Sequence, residues 1–212
     1  MFRFKNRIEA GMMLAVKLIK YKNGEGIVLA VPRGGVPVAY QVARELNLPM
    51  EVVLTKKIGH PMNKEYAIGA ASLSGYFVVP HDDVSEEYIE DEVHKIKSRL
   101  KEMYKNFMGD KEPADITGKT VMVIDDGIAT GNTLLGTVNV LKKSRPGKIV
   151  VAVPVASKAA IDKLYKEVDE VVAVLIPEIF YGVGAFYDDF EQVSDEEVMY
   201  YLNKMREVKK TG

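Results

Sequence analysis

Apolar and polar positions change period several times along the chain, and the changes divide it into elements. Near the start, Asn6 followed by Glu9 marks a helix N-terminus, a capping side chain with an acid three residues on. Ile8, Met12, Ala15 and Ile19 then recur at helical spacing until Gly24 and Gly26 interrupt. Residues 27–31 are a short apolar run bounded by turn residues, the pattern of a strand buried on both faces. The tight segment Pro32-Arg33-Gly34-Gly35 leads into a helix over 36–46, and a second strand follows at 50–55. Residues 56–66 are polar, carry Gly59 and Pro61, and are expected to form a loop. Short strands at 67–73 and 77–79 flank a Ser-Gly turn.

A long helix is predicted over 85–107, with Ile89, Val93, Ile96, Leu100, Met103 and Phe107 alternating by four and three. Its acids come early and its bases late, which complements the helix dipole. The stripe suits packing on the sheet or on a partner chain, so a homo-oligomer stays open. Strands at 120–124, 149–155 and 171–176 alternate with helices at 133–143 and 158–166, and a closing helix is expected over 194–209. Strands alternating with helices point to an α/β fold with a doubly wound parallel sheet, read as one domain over residues 1–212.

Composition narrows the chemistry. Hydrophobic residues make up 47% and charged residues 28%, values of a globular rather than a disordered chain. A net charge of −1 gives no global field for nucleic acid, and no nucleic-acid partner is expected. With no cysteine, a thiol nucleophile, a disulfide and a cysteine–zinc site are excluded. His60, His81 and His94 are too widely spaced for a paired-histidine metal helix. The first residues lack a signal-peptide apolar run, and no stretch approaches the ~18 apolar residues of a membrane span, so a cytoplasmic protein without a membrane partner is expected.

The stretch VMVIDDGIATGNT, residues 121–133, is the most informative. It is a buried strand ending in Asp125 and Asp126, then a small-residue loop, then a helix. Ligands of open α/β sheets bind at the carboxyl ends of strands. Gly127 and Gly131 let backbone N–H groups approach an anion, and a helix starting near Thr133 points its positive end at the same place. Thr130 and Thr133 add hydroxyl donors, so the loop 127–133 suits a phosphate monoester. Adjacent carboxylates accept hydrogen bonds from vicinal ribose hydroxyls. The unit as a whole suits ribose 5-phosphate, although an acidic turn that merely caps a helix would share its local pattern.

These residues resemble the 5-phosphoribosyl-1-pyrophosphate (PRPP) signature of type I phosphoribosyltransferases: four apolar residues, two acids, two mostly aliphatic positions, then small-Thr-Gly-any-Thr. Gly127 stands where the family usually has an aliphatic residue, which suggests a slacker loop. Ala129 stands where hypoxanthine–guanine enzymes carry an aspartate, so a 6-oxopurine is disfavoured. The resemblance implies that Gly127, Ile128, Ala129, Thr130, Gly131, Asn132 and Thr133 hold the 5-phosphate and that Asp125 and Asp126 serve the ribose.

Other segments fit the same resemblance. Arg33, Gly34 and Gly35 fall where the family holds pyrophosphate, and a non-proline cis bond is implied at Arg33–Gly34. Glycines there expose N–H groups, and arginine pairs phosphate oxygens in a bidentate way. Residues 56–65 occupy the place of the mobile catalytic loop, where Lys56 and Lys57 would neutralise the leaving pyrophosphate; a solvated basic loop would look alike. His60, Lys64 and Glu65 are weaker candidates in that loop. Phe180, Tyr181, Phe186 and Tyr187 fall in a hood, 177–192, that covers the base in the family; a small satellite core would use the same rings. The long helix has no counterpart in the minimal fold and reads as an insertion. The stretches 59–65 and 186–197 extend the resemblance to a bacterial and archaeal branch of the family.

The resemblance implies a Mg²⁺-dependent transfer of the phosphoribosyl group of PRPP to a nitrogenous base, with Asp125, Asp126 and Lys57 as the catalytic set. Any protein contact to the metal would come from Asp125 and Asp126. A non-catalytic PRPP-binding regulator on the same fold is the alternative. A phosphatase is disfavoured, because the two acids lack the one-residue gap of aspartyl phosphatases.

Overall fold

A computed structural model describes residues 2–208, with the side chain of Val208 excepted. Residue 209, the expected last residue of the closing helix, lies outside the described residues. Eight strands and six helices run in the order α1 (Arg7–Lys17), β1 (Gly26–Ala30), α2 (Gly35–Leu46), β2 (Met50–Val52), β3 (Thr55–His60), β4 (Asn63–Ser72), β5 (Tyr76–Val78), α3 (Glu86–Met108), β6 (Thr120–Ile124), α4 (Asn132–Lys142), β7 (Lys148–Val155), α5 (Lys158–Leu164), β8 (Glu170–Leu175) and α6 (Asp195–Val208). Two short 3₁₀ turns, Ile19–Tyr21 and Val183–Phe186, complete the chain.

The central sheet has five parallel strands in the order β2-β1-β6-β7-β8. Its inner strands read as unbroken apolar runs because both faces are covered. Val28, Ala30, Met122, Ile124, Val150 and Ala152 face a core built with α1, α2, α3 and α6. The alternate residues Ile27, Leu29, Val121, Val123, Ile149 and Val151 face α4 and α5. Helix layers on both faces with alternating residues between them are the doubly wound arrangement the pattern predicted. The Asn6 cap is also in place, its side chain accepting from the N–H groups of Ile8 and Glu9.

The polar segment 56–66 departs from expectation. It forms a β-hairpin: β3 and β4 pair antiparallel, with Lys57 opposite Ala70 and His60 opposite Asn63, and β5 adds a third strand. Gly59, read as a loop residue, sits at an irregularity in this pairing, where a β-carbon would lie 2.5 Å from the Lys64 carbonyl oxygen. Glycine and charge there reflect a bulged edge strand whose side chains meet solvent, not an absent ladder. The strand expected at 50–55 divides because its ends join different sheets, β2 ending at Val52 in the parallel sheet and β3 starting at Thr55 in the hairpin.

The inserted helix α3 buries Val93, Ile96, Leu100, Tyr104, Phe107 and Met108 in the chain's own main core. Its stripe is therefore used internally. No helix among the described residues is long and apolar enough to cross a membrane.

Candidate functional site

The site assembles where β1 and β6 end side by side. β6 stops at Ile124, and Asp125 and Asp126 follow directly. The loop after β1 meets them: a β-carbon on Gly34 would lie 2.0 Å from Asp126 Oδ2, and one on Gly35 2.6 Å from the Ile124 carbonyl oxygen. Both glycines are thus required by close approach of the two loops. A non-proline cis bond is present in this turn, but at Pro32–Arg33, one residue earlier than the resemblance implied. Gly34 has helical dihedrals as the residue preceding α2.

The two acids differ in environment. The Asp126 N–H donates to Asp125 Oδ1 at 2.8 Å. Burial and the adjacent Asp126 push the Asp125 carboxyl up to about 8. Desolvation also raises Asp126, but Arg7 opposes it: Arg7 Nε donates to Asp126 Oδ2 at 2.8 Å, with side chains only 11% and 15% exposed. The Arg7 guanidinium also lies 3.9 Å from the centre of the Phe190 ring and donates to the Glu191 carbonyl at 2.8 Å. Tyr187 adds a third tie, its hydroxyl donating to the Asp126 carbonyl at 2.6 Å.

The phosphate-type loop is held from several sides. Ile128 is buried and pairs with the end of β7, its N–H donating to the Val155 carbonyl at 2.9 Å. The Ala129 carbonyl accepts from Ser157 Oγ at 2.6 Å, and the Thr130 carbonyl from Lys163 Nζ at 3.1 Å. Gly131 takes a left-handed φ of 75°, which favours glycine, and precedes α4 without any side-chain cap. The Asn132 N–H makes a long contact to Thr130 Oγ1 at 3.5 Å, and the N–H groups of Thr133 and Leu134 in the first turn of α4 remain open to an anion. Gly127 is not a slack point: a β-carbon there would lie 2.5 Å from Val183 Cγ1 in the hood. The residue is small because the hood closes on it.

Lys56 and Lys57 lie across from this loop. With Thr55, Glu65, Asn132 and Thr133 they line a groove of about 410 Å³ between the hairpin and the start of α4. Lys57 Nζ is paired with Glu65 Oε2 at 2.7 Å, and Arg33 Nε with Asp195 Oδ1 at 2.6 Å, all four side chains being substantially exposed. The other hairpin candidates turn away from the groove. His60 Nε2 is 3.0 Å from Asp83 Oδ2, and Lys64 bonds the Tyr88 hydroxyl and lies 3.3 Å from Glu92. The Lys64 contacts brace the hairpin tip against α3, and the His60 contact ties it to the segment just before that helix.

The hood divides. Phe186 is fully buried and Tyr187 is 3% exposed, packed with Phe4 in a satellite core. Neither presents a face for a base to stack on. Phe180 is half-buried against Phe186, and Tyr181 is 73% exposed.

Sequence reading missed Arg7, Ser157 and Lys163. Arg7 stands 119 positions from Asp126 in an ordinary amphipathic helix, with no local motif to mark it. In the sequence, Ser157 merely precedes the helix predicted over 158–166 and Lys163 lies within it.

The family model for a phosphoribosyl transferase domain matches residues 3–191. A Mycobacterium tuberculosis (strain H37Rv) protein, assigned to the phosphoribosyl transferases by its name, is 33% identical over 206 residues, which is 95% of this chain and 46% of that protein. This chain thus spans about half the length of that relative. The crystal structure of TT1426 from Thermus thermophilus is 37% identical and superposes with a TM-score of 0.85, covering 96% of this chain and 99% of the other. A segment of 58 residues is 40% identical to the ribose-phosphate pyrophosphokinase of Pyrococcus furiosus, over 26% of this chain and 21% of that enzyme. The chain therefore belongs to the phosphoribosyl transferase domain family.

Proposed function

We propose that this chain transfers the phosphoribosyl group of PRPP to a nitrogenous base, with Mg²⁺ bound. A base nitrogen attacks C1 of the ribose, the C1–oxygen bond to pyrophosphate breaks, and the nitrogen's proton is lost to solvent or to a basic group. Little covalent help is needed from the protein; positioning and neutralisation of charge suffice.

The observation that carries this reading is the meeting of an uncapped helix start, a pinned small-residue loop and two carboxylates at the ends of adjacent parallel strands. Residues 127–133 would take the 5-phosphate, and Asp125 and Asp126 the ribose hydroxyls. Arg33, Gly34, Gly35 and Lys56 would take the pyrophosphate, and Lys57 would stabilise it as it leaves. Phe180 and Tyr181 would cover the base. Oxygen donors suit Mg²⁺, and Asp125 and Asp126 are the protein groups available to it. Among the described residues no cluster of three or more His, Asp or Glu side chains forms a ready cage, so PRPP oxygens and water would complete the shell. When bound, the ion would help neutralise the departing pyrophosphate.

The test is turnover. The protein, PRPP, Mg²⁺ and a panel of purine, pyrimidine and pyridine bases are expected to release pyrophosphate with at least one base. Tight PRPP uptake without pyrophosphate release on any base would instead favour a non-catalytic PRPP-binding protein.

A further inference from the structure

Two consecutive carbonyls of the phosphate-type loop are taken by side chains from one short segment. Ser157 Oγ donates to the Ala129 carbonyl at 2.6 Å, and Lys163 Nζ to the Thr130 carbonyl at 3.1 Å. Lys163 Nζ also reaches Asn132 Oδ1, on the first residue of α4, at 2.9 Å. In a trans peptide the C=O and the following N–H point in opposite directions. Carbonyls 129 and 130 turned toward α5 therefore turn the N–H groups of Thr130 and Gly131 away from it. Ser157 is itself fixed, its N–H bonded to the Ile128 carbonyl at 3.0 Å and its Oγ accepting from Ala160 N–H at 3.1 Å.

We propose that Ser157 and Lys163 are positioning residues that preset the amides of Thr130 and Gly131 for the 5-phosphate, Lys163 adding positive charge behind the loop. The proposal deepens the reading above and rests on residues 127–133 being the phosphate site. Preset donors need no reorientation on binding, and a charged donor on a carbonyl polarises the peptide whose N–H faces the anion. Lys163 is exposed and lies outside the apolar core, so its side chain can be changed with little effect on packing.

The test uses the whole protein, with Lys163→Met and Lys163→Arg, titrated with ribose 5-phosphate and, separately, with magnesium pyrophosphate. Loss of one charged hydrogen-bond donor is expected to weaken ribose 5-phosphate about tenfold in Lys163→Met. Pyrophosphate affinity and melting temperature should stay at wild-type values, and Lys163→Arg should recover most of the loss. Wild-type affinity in Lys163→Met would overturn the proposal. So would equal weakening of both ligands together with a lower melting temperature, which would make the role structural. If the wild-type protein took up no ribose 5-phosphate, the site reading itself would fall and this proposal with it.

Discussion

The two sides of the site are built on opposite principles. On the side proposed for the 5-phosphate the groups offered are backbone amides, and the fold fixes them: β7 holds Ile128, α5 and the residue before it hold the carbonyls of Ala129 and Thr130, and Val183 rests on Gly127. On the side proposed for pyrophosphate they are long cationic side chains already engaged elsewhere, Arg33 with Asp195 and Lys57 with Glu65. Exposed ion pairs of that kind are worth roughly 0–1 kcal/mol, so an arriving polyanion displaces them at little cost. One side is a rigid anchor, the other a set of adjustable clamps. Such a division would suit the proposed reaction, in which PRPP keeps its 5-phosphate and gives up its pyrophosphate.

The contrast can be broken first at Arg7. Removing its guanidinium leaves Asp126 mostly buried without its partner, and losing one member of a buried pair costs about 3–5 kcal/mol. Arg7→Met should lower the denaturant midpoint and PRPP affinity together, whereas Arg7→Met combined with Asp126→Asn should regain much of the stability but not the affinity. Equal stability of the single and double variants would mean that the pair is not the anchor's electrostatic centre.

A middle-sized effect concerns Asp125. Its carboxyl, pushed up to about 8, keeps its proton in the folded chain where the unfolded chain, with a value of about 3.9, has lost it. Stability from this group is therefore complete below about pH 4 and is lost as pH rises toward 8. The melting temperature of Asp125→Asn relative to wild type should climb between pH 5 and pH 8, then level off. A constant difference across that range would show that Asp125 is ionised throughout.

The smallest effect lies on the clamp side. Asp195→Asn frees Arg33, and magnesium pyrophosphate should bind up to a few-fold more tightly, with no change for ribose 5-phosphate. Weakened ribose 5-phosphate would mean that the two sides are coupled rather than separate.

The anchor was more legible in the sequence than the clamps. The strand β6 and the run from Asp125 to Thr133 combine apolar periodicity with glycine and carboxylate placement, all local signals, and the structure forms them within a residue of expectation. The hairpin was misread because its edge strand carries lysines, a glycine and a bulge, which imitate a loop when the partner strand is not considered. Phe186 and Tyr187 share a sequence neighbourhood with Tyr181, yet two are core and one is exposed. Packing against Phe4, Ala10 and Val155, residues distant in sequence, separates them. Arg7, Ser157 and Lys163 make their contacts with Asp126, Ala129 and Thr130 over long sequence distances, and nothing in their own neighbourhoods records it.

Calorimetric titration of the protein with PRPP in the presence of Mg²⁺ tests the central claim most directly. One molecule of PRPP per chain is expected to bind, with ribose 5-phosphate competing for the same site. Absence of any uptake, with ribose 5-phosphate equally inert, would contradict the account.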